Sequence, residues 1–199
     1  KGDGALQFVG TGSTSFDGTN DEINLDDGMY NIGSVHTVSA WVKLPAVANN
    51  NGIVLGGNAN YYYMLNITAS GGTINNIYYG GDGDTQAYVA YTDDQQWHYY
   101  SIVRNDTSVK FYVDAVQQGA TQTLGANDDA QYDRIGRGSA AQFLKGDAKN
   151  VAVWNRALTA TEVQNVMYKS YHEVSGRLAS GLVSWWALES DYLDSTDND

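Results

Sequence analysis

The chain has 199 residues, of which 42% are hydrophobic and 12% aromatic, so it can bury a sizeable apolar core. Its 11 basic and 23 acidic residues give a net charge of −12, which argues against binding to nucleic acid or an anionic membrane surface, and no apolar run approaches the about 18 residues of a membrane span. The absence of cysteine excludes disulfides, cysteine-ligated zinc, iron–sulfur clusters and thiol nucleophiles.

Short segments that alternate between apolar and polar residues, divided by Gly, Asn and Asp turns, predict an all-β chain. The clearest of them is 36–44, in which Val38, Ala40, Val42 and Leu44 share one face. The other predicted strands are 5–9, 14–17, 22–26, 53–56, 61–68, 74–79, 86–91, 132–136 and 148–154. Surface loops, on which binding sites of sandwich proteins are usually built, are predicted at 46–52, 56–60, 80–85, 125–131 and 137–142.

A hairpin is predicted over 99–114, "YYSIVRNDTSVKFYVD", where two alternating runs flank a four-residue turn at 105–108. In its second strand Val109, Phe111 and Val113 share one face, and the intervening residues share the other.

One short helix is predicted at 159–172. Thr159 and Glu162 have the spacing of a capping box, in which each side chain satisfies a backbone N–H group at the start of the helix. Val163 and Val166 then recur at helical spacing. This pattern is typical of a helix that closes one end of a sandwich.

The order of several segments resembles a known family. "SFDGTNDEINL" is followed by "HTVSAWVKLP", by "DDQQWHYYSIVRNDTSVKFYVDAVQQG" and by "GDAKNVAVWNRALTATEV". Together they resemble the laminin G-like domain of the concanavalin A-like lectin/glucanase superfamily, with the pentraxins as relatives, over residues 5–168. The resemblance implies a two-sheet antiparallel jelly-roll sandwich. With the single helix, it predicts one domain over residues 1–199.

The resemblance implies a non-catalytic module that binds carbohydrate or glycoprotein, or mediates adhesion, outside a cell or on a cell or virion surface. The alternative is a structural virion or surface-assembly component that acts through protein–protein contacts. A third hypothesis, a glycoside hydrolase, needs closely spaced carboxylates on one strand, and the nearest match, Glu189, Asp191 and Asp194, has the wrong spacing. Because the histidines are also scattered along the chain, we expect no enzyme activity.

A sugar site needs an aromatic ring for the apolar face of the sugar and planar amides or carboxylates for its hydroxyl groups. Segments 58–63, "NANYYY", and 75–84, "NNIYYGGDGD", offer both. The alternative is that these tyrosines only pack across strands. The predicted carbohydrate-binding residues are Asn58, Asn60, Tyr62, Asn76, Tyr79, Asp82 and Asp84.

The resemblance also raises the hypothesis of one structural calcium ion, because many relatives carry one near the sheet edge. Calcium prefers oxygen ligands from Asp, Asn and backbone carbonyls. The stretch "GRGSAAQFLKGD" lacks the acidic cluster that pentraxins carry there, so a pentraxin-type site is not expected. The same residue types also build ordinary turns, which is the alternative. The candidate ligands are Asp17, Asn20, Asp21, Asp147, Asp194 and Asp197.

The chain ends with "SGLVSWWALESDYLDSTDND", in which Leu182 and Trp186 share one face and Val183 and Trp185 share the other. In laminin G-like modules such a strand usually comes first. Residues 181–199 are therefore either the start of a further module or a terminal strand and acidic loop that closes this domain. An undocked strand with two indoles would expose an apolar patch and an open edge. Pairing within the chain's own sheet is therefore favoured over self-association with a neighbouring module.

Overall fold

Antiparallel strands form two sheets in the computed structural model, which describes residues 12–25, 29–45, 49–57, 63–70, 73–80, 86–138, 142–189 and 191–196. The strands are β1 (Thr14–Asp17), β2 (Ile23–Asn24), β3 (Tyr30–Gly33), β4 (Val35–Lys43), β5 (Asn49–Gly56), β6 (Tyr63–Ser70), β7 (Thr73–Gly80), β8 (Gln86–Ala90), β9 (His98–Asn105), β10 (Ser108–Val113), β11 (Val116–Thr123), β12 (Ala130–Tyr132), β13 (Arg134–Ile135), β14 (Lys145–Trp154) and β15 (Leu182–Trp186). The predicted all-β class is confirmed. The predicted strand 5–9 lies outside the described residues.

The seven-stranded sheet has the order β1-β14-β4-β9-β10-β11, and β15 also pairs with β14. The six-stranded sheet has the order β2-β13-β5-β6-β7-β8, and β12 and β3 form a separate pair. The main core lies between the sheets and contains the face of β4 predicted from its alternation, Val38, Ala40 and Val42, all fully buried. Burial of each of the two valines contributes about 1.5–3 kcal/mol relative to an exposed side chain.

A second apolar cluster covers the outer face of the seven-stranded sheet. Trp41, Trp154 and Trp185 pack there against helix α1 (Ala160–Val166). The indole of Trp41 donates a hydrogen bond to the carbonyl of Met167 at 2.9 Å, and the indole of Trp154 donates one to the carbonyl of Leu178 at 2.8 Å. This face is therefore closed by the helix and the segment that follows it. Within the described part of the chain, no helix is long and apolar enough to cross a membrane.

The start of the helix is as predicted, with a complete capping box between Thr159 and Glu162. Burial alone would raise the pKa of Glu162. Its hydrogen bonds with Thr159 and the neighbouring Arg156 guanidinium outweigh burial and lower that pKa to about 2. The predicted extension of the helix to residue 172 is wrong. The side chain of Glu173 accepts hydrogen bonds from the backbone N–H and hydroxyl of Ser170, which starts a separate 3₁₀ turn over Tyr171–Glu173.

Several other details differ from the predictions. The hairpin of β9 and β10 turns over two residues rather than four, with Asp106 at a φ of 55°, which Asp tolerates. Strand β5 begins at Asn49, inside the predicted loop 46–52, and β12 begins at Ala130, inside the predicted loop 125–131. Strand β3 was not predicted, and neither was strand β11. Strand β11 is a polar edge strand with mostly exposed side chains, so it lacks the apolar alternation of a half-buried strand.

The terminal strand docks in its own sheet. Residues Lys145–Ala148 of β14 pair with β1, and Val151–Trp154 pair with β15, so the first and last described strands share one edge of β14. Between the two registers, the backbone N–H of Asn150 donates to the carbonyl of Ala187 at 3.1 Å.

The two adjacent tryptophans of β15 lie in different apolar clusters. Trp186 lies in the core between the sheets, where its ring meets Tyr132 edge-on at 6.1 Å between centroids. Trp185 lies on the outer face, where its ring meets Trp154 edge-on at 6.2 Å. The prediction that Trp185 and Trp186 face opposite sides of the sheet is confirmed, and it explains why two bulky indoles stand next to each other in the sequence. The prediction that Leu182 shares the face of Trp186 is wrong, because Leu182 packs in the outer cluster with Trp185, beyond a register shift in the pairing of β14 with β15.

Candidate functional site

Tyrosines from three neighbouring strands meet on the outer face of the six-stranded sheet. Tyr78 of β7 and Tyr88 of β8 are direct cross-strand partners, with ring centroids 6.4 Å apart and ring planes 8° apart. Tyr63 of β6 contacts Tyr78 edge-on, with centroids 5.9 Å apart. Tyr88 is 60% exposed. We call Tyr63, Tyr78 and Tyr88 the tyrosine face.

Strand alternation places these rings outward. The neighbours of Tyr78 in β7, Ile77 and Tyr79, and the neighbours of Tyr88 in β8, Ala87 and Val89, are buried in the core between the sheets. Tyr78 and Tyr88 must therefore point away from that core.

Amide side chains border the tyrosine face. Tyr63 donates its hydroxyl hydrogen to Oε1 of Gln142 at 2.5 Å. Asn76 lies two residues before Tyr78, and the exposed Gln86 lies two residues before Tyr88, so both are on the same outer face as the rings. Aromatic rings with adjacent amides are the combination that a sugar site requires.

The loop after β13 holds Tyr63 in position. At Gly138 a Cβ atom would lie 2.5 Å from Cδ1 of Ile53 and 2.7 Å from Cε1 of Tyr63, so only glycine lets the backbone approach this closely. The N–H of Gly138 donates to the carbonyl of Gln142 at 3.0 Å, which holds these two residues together beside Tyr63. Packing and hydrogen bonding thus fix the ring before any ligand arrives.

The structure places only one of the predicted sugar-binding residues beside the tyrosine face. Asn76 lies beside the tyrosine face. The prediction for Tyr79 is wrong, because its side chain is fully buried. The alternation contained the signal: Asn76 and Tyr79 are three residues apart in one strand, so they cannot share a face, whereas Asn76 and Tyr78 can. The remaining predicted residues lie outside the described part of the chain; they are Asn58, Asn60, Tyr62, Asp82 and Asp84.

The hydroxyl of Tyr79 instead belongs to a buried polar network. It lies 3.0 Å from Nε2 of His36 and accepts a hydrogen bond from Nη1 of Arg104 at 3.0 Å. Burial and the nearby Arg104 charge lower the pKa of His36 to about 3, so this imidazole is neutral. All three side chains are fully buried. The network therefore ties the two sheets together and offers no surface to a ligand.

His98 forms a second network at the start of β9. Its Nδ1 lies 2.7 Å from Oδ2 of Asp114, and its Nε2 lies 2.8 Å from Oδ1 of Asp94. The hydrogen bond with Asp114 is the largest of the effects that raise the pKa of His98 to about 9. The imidazole is therefore protonated at neutral pH and donates from both nitrogens. In this state it cannot act as a general base.

Two of the proposed calcium ligands, Asp17 and Asp21, accept hydrogen bonds from nearby backbone N–H groups. Oδ2 of Asp21 accepts a hydrogen bond from the N–H of Asp17 at 2.8 Å, and Oδ1 of Asp17 accepts those of Thr19 and Asn20. These are the bonds of a turn, as the alternative reading expected. Asp147 lies within β14, between its partners in β1 and β4.

The other two acidic candidates belong to the tail. Asp194 is buried, and its Oδ1 accepts hydrogen bonds from the N–H of Trp185 and from Thr196, while Asp197 lies outside the described residues. Across the described part of the chain, no group of three or more His, Asp or Glu side chains is placed to hold a metal ion. Calcium binding remains a prediction.

Comparison with known proteins identifies the family to which this fold belongs. A family model described as concanavalin A-like lectin/glucanases superfamily, laminin G type, matches residues 17–164. No curated protein sequence matches the chain.

Among solved structures, a putative carbohydrate binding protein from Bacteroides ovatus superposes with a TM-score of 0.64 at 15% identity, over 94% of this chain and 56% of that one. This chain thus spans little more than half of that protein. The heptameric SAP-like pentraxin from Limulus polyphemus superposes with a TM-score of 0.65 at 18% identity, over 90% of this chain and 89% of that one.

Domain 4 of AbnA, a GH43 extracellular arabinanase from Geobacillus stearothermophilus, superposes with a TM-score of 0.53 at 17% identity, over 78% of this chain and 76% of that one. That structure is a complex with arabinotriose. At these identities the superpositions show a shared fold. With the family match across most of the chain, they lead to one conclusion: this protein belongs to the laminin G-like family of the concanavalin A-like lectin/glucanase superfamily.

Proposed function

We propose that this protein is a non-catalytic carbohydrate-binding module whose glycan lies across the tyrosine face. The observation that carries the proposal is the contact of Tyr63, Tyr78 and Tyr88 on adjacent strands, with Tyr88 largely exposed beside the amide of Gln86. An exposed aromatic group on a rigid sheet needs no reordering to receive the apolar face of a sugar.

The relatives support a binding role. One is described as a putative carbohydrate binding protein, and another is domain 4 of an extracellular arabinanase, in complex with arabinotriose. The net charge of −12 favours a neutral glycan, because an acidic one would be repelled over long range. A module of this kind acts outside the cell, on a cell or particle surface, and this location is part of the proposal.

A glycan array probed with the purified chain tests the proposal, followed by titration of the best ligand into Tyr88→Ala. Loss of one stacking ring is expected to weaken binding about tenfold. Tyr168→Ala is the matched control, because Tyr168 is also an exposed tyrosine, 47% exposed, but follows the helix on the opposite sheet. The proposal fails if no glycan binds, or if Tyr88→Ala binds as tightly as Tyr168→Ala.

The structural alternative, a virion or surface-assembly component, makes a different prediction. It requires a defined oligomer of the purified chain and no glycan signal. Strand β15 pairs with β14 along one edge, and residues 194–196 bond to the backbone of Val183, Trp185 and Trp186 along the other, so neither edge is left open to a neighbour at these residues. Mass determination by light scattering, run beside the glycan array, separates the two functions.

A further inference from the structure

A cleft lies beside the first described strands and the segment that follows β15, apart from the tyrosine face. Its walls are β1, β2 and the segment after β15, and its volume is about 450 Å³. This falls within the about 300–1,000 Å³ typical of small-molecule sites. The side chains important here are Phe16, Asp21, Glu22, Asn24, Tyr192 and Leu193.

One wall of the cleft is apolar and unusually exposed. Tyr192 is 57% exposed and Leu193 is 66% exposed, and both line the cleft. Large apolar side chains left next to each other on a surface mark a contact site more often than isolated ones do.

Tyr192 and Leu193 are exposed although their segment is held to the sheet by the next residue, Asp194. Asp194 is buried, and its Oδ1 accepts hydrogen bonds from the N–H of Trp185 at 2.9 Å and from the N–H and hydroxyl of Thr196 at 2.9 and 2.8 Å. Asp194 also forms a bridge with Trp186 of β15. The tyrosine ring is therefore presented from a segment tied to the sheet.

The residues of the cleft next to β2 carry polar groups that are already held in place. Oδ2 of Asp21 accepts a hydrogen bond from the N–H of Asp17 at 2.8 Å. The carboxylate of Glu22 pairs with Arg137 at 2.9 Å and with Arg134 at 3.3 Å, so its charge is compensated within the protein. A carboxylate oxygen has more than one acceptor site, so these groups can still accept hydrogen bonds from hydroxyl groups.

We infer that this cleft is a second carbohydrate-binding site, which takes a neutral mono- or disaccharide unit stacked on Tyr192, with hydroxyl groups donating to Asp21 and Glu22. A neutral polyol fits both walls at once, through an apolar ring face for the tyrosine and donors for the acceptors. An anionic ligand would meet two carboxylates, and a wholly apolar ligand would desolvate them. The site stands on observations separate from those of the tyrosine face, and two sites would let one module engage two points of a glycan chain.

The test is NMR titration of the ¹⁵N-labelled chain with maltotriose, cellotriose and arabinotriose, each at millimolar concentration. At least one sugar is expected to shift the backbone resonances of Asn24, Tyr192 and Leu193. Tyr192→Ala is expected to weaken this binding about tenfold. Tyr192→Phe is expected to retain it, because the ring and not the hydroxyl makes the stack. Tyr168→Ala serves as the exposed-tyrosine control and is expected to bind like the native chain.

Binding at the two sites can be measured separately. Tyr88→Ala weakens the tyrosine face, so shifts at the cleft in this variant report on the cleft alone. The inference is overturned if no sugar in the panel shifts the cleft resonances, whatever happens at the tyrosine face. It is also overturned if calcium alone shifts them and the sugars do not, or if Tyr192→Ala converts a dimer to a monomer, which would show that a second copy covers the cleft.

Discussion

Replacing Asp194 with alanine tests how the terminal strand is held. The side-chain oxygen of Asp194 accepts hydrogen bonds from the N–H of Trp185, inside β15, and from the N–H and hydroxyl of Thr196. In the alanine variant the buried N–H of Trp185 loses its acceptor, and the turn at Thr196 loses its closing bonds. We therefore expect this single change to weaken the contact between β15 and residues 194–196.

The magnitude follows from the number and burial of the lost bonds. A buried donor left without a partner costs about 1–3 kcal/mol, and the two bonds from the partly buried Thr196 contribute less. The sum is about 3 kcal/mol of unfolding free energy. For a chain of this size each kcal/mol corresponds to about 2–4 °C in Tm, so the expected decrease is about 6–12 °C.

The assay is thermal unfolding followed by circular dichroism, with two companion variants. Asp194→Asn keeps one acceptor oxygen and should lose about 1 kcal/mol. Asp191→Ala removes an acidic residue from the same segment whose one hydrogen bond, from the N–H of Leu193, is exposed at 3.3 Å, so the change should be within about 0.5 kcal/mol. Equal Tm values for Asp194→Ala and Asp191→Ala would refute the reasoning, because the tail would then contribute nothing through this carboxylate.

Other predictions concern titratable groups and calcium. Glu162 has a pKa of about 2 in the folded chain, below its ordinary value of 4.5, so the stability it contributes is present above pH 4.5 and is lost as the pH falls toward 2. Glu162→Gln should reduce this acid sensitivity and should lower the free energy of unfolding by about 2–3 kcal/mol at pH 7. Denaturant unfolding at several pH values measures both effects. His98 has a pKa of about 9, above its ordinary value of 6.5, so its contribution is present below pH 6.5 and is lost as the pH rises through 9. Asp114→Asn should lower the pKa of His98, read from its imidazole NMR signals, and an unchanged value would contradict the assigned cause. The calcium hypothesis predicts that EDTA lowers the Tm and that added CaCl₂ restores it; an unchanged Tm would count against a site that includes Asp17 and Asp21.

The features that were predictable depend on neighbours in the chain. The alternation in β4, in the β9–β10 hairpin and at the two tryptophans of β15 identified the buried faces, because side-chain direction in a strand reverses at every residue. The capping box between Thr159 and Glu162 is also local, so the start of the helix was predicted correctly.

Other features depend on partners far away in the sequence. Strand β11 carries no apolar alternation, and it is a strand because β10 pairs with it. The end of the helix was missed because Ser170 and Glu173 start a competing turn. The tyrosine face was only half anticipated, since it requires the register that sets Tyr78 opposite Tyr88 and brings the loop with Gln142 over Tyr63.

The sequence by itself determined that this chain is an all-β sandwich of the laminin G-like family, and that Trp185 and Trp186 belong to opposite faces of one strand. The tertiary structure alone decided where that strand docks, beside β1 on one edge of β14, and which tyrosines share a surface. The physical reason is that the direction of a side chain follows from the backbone pleat, whereas strand register depends on the summed packing of both sheets.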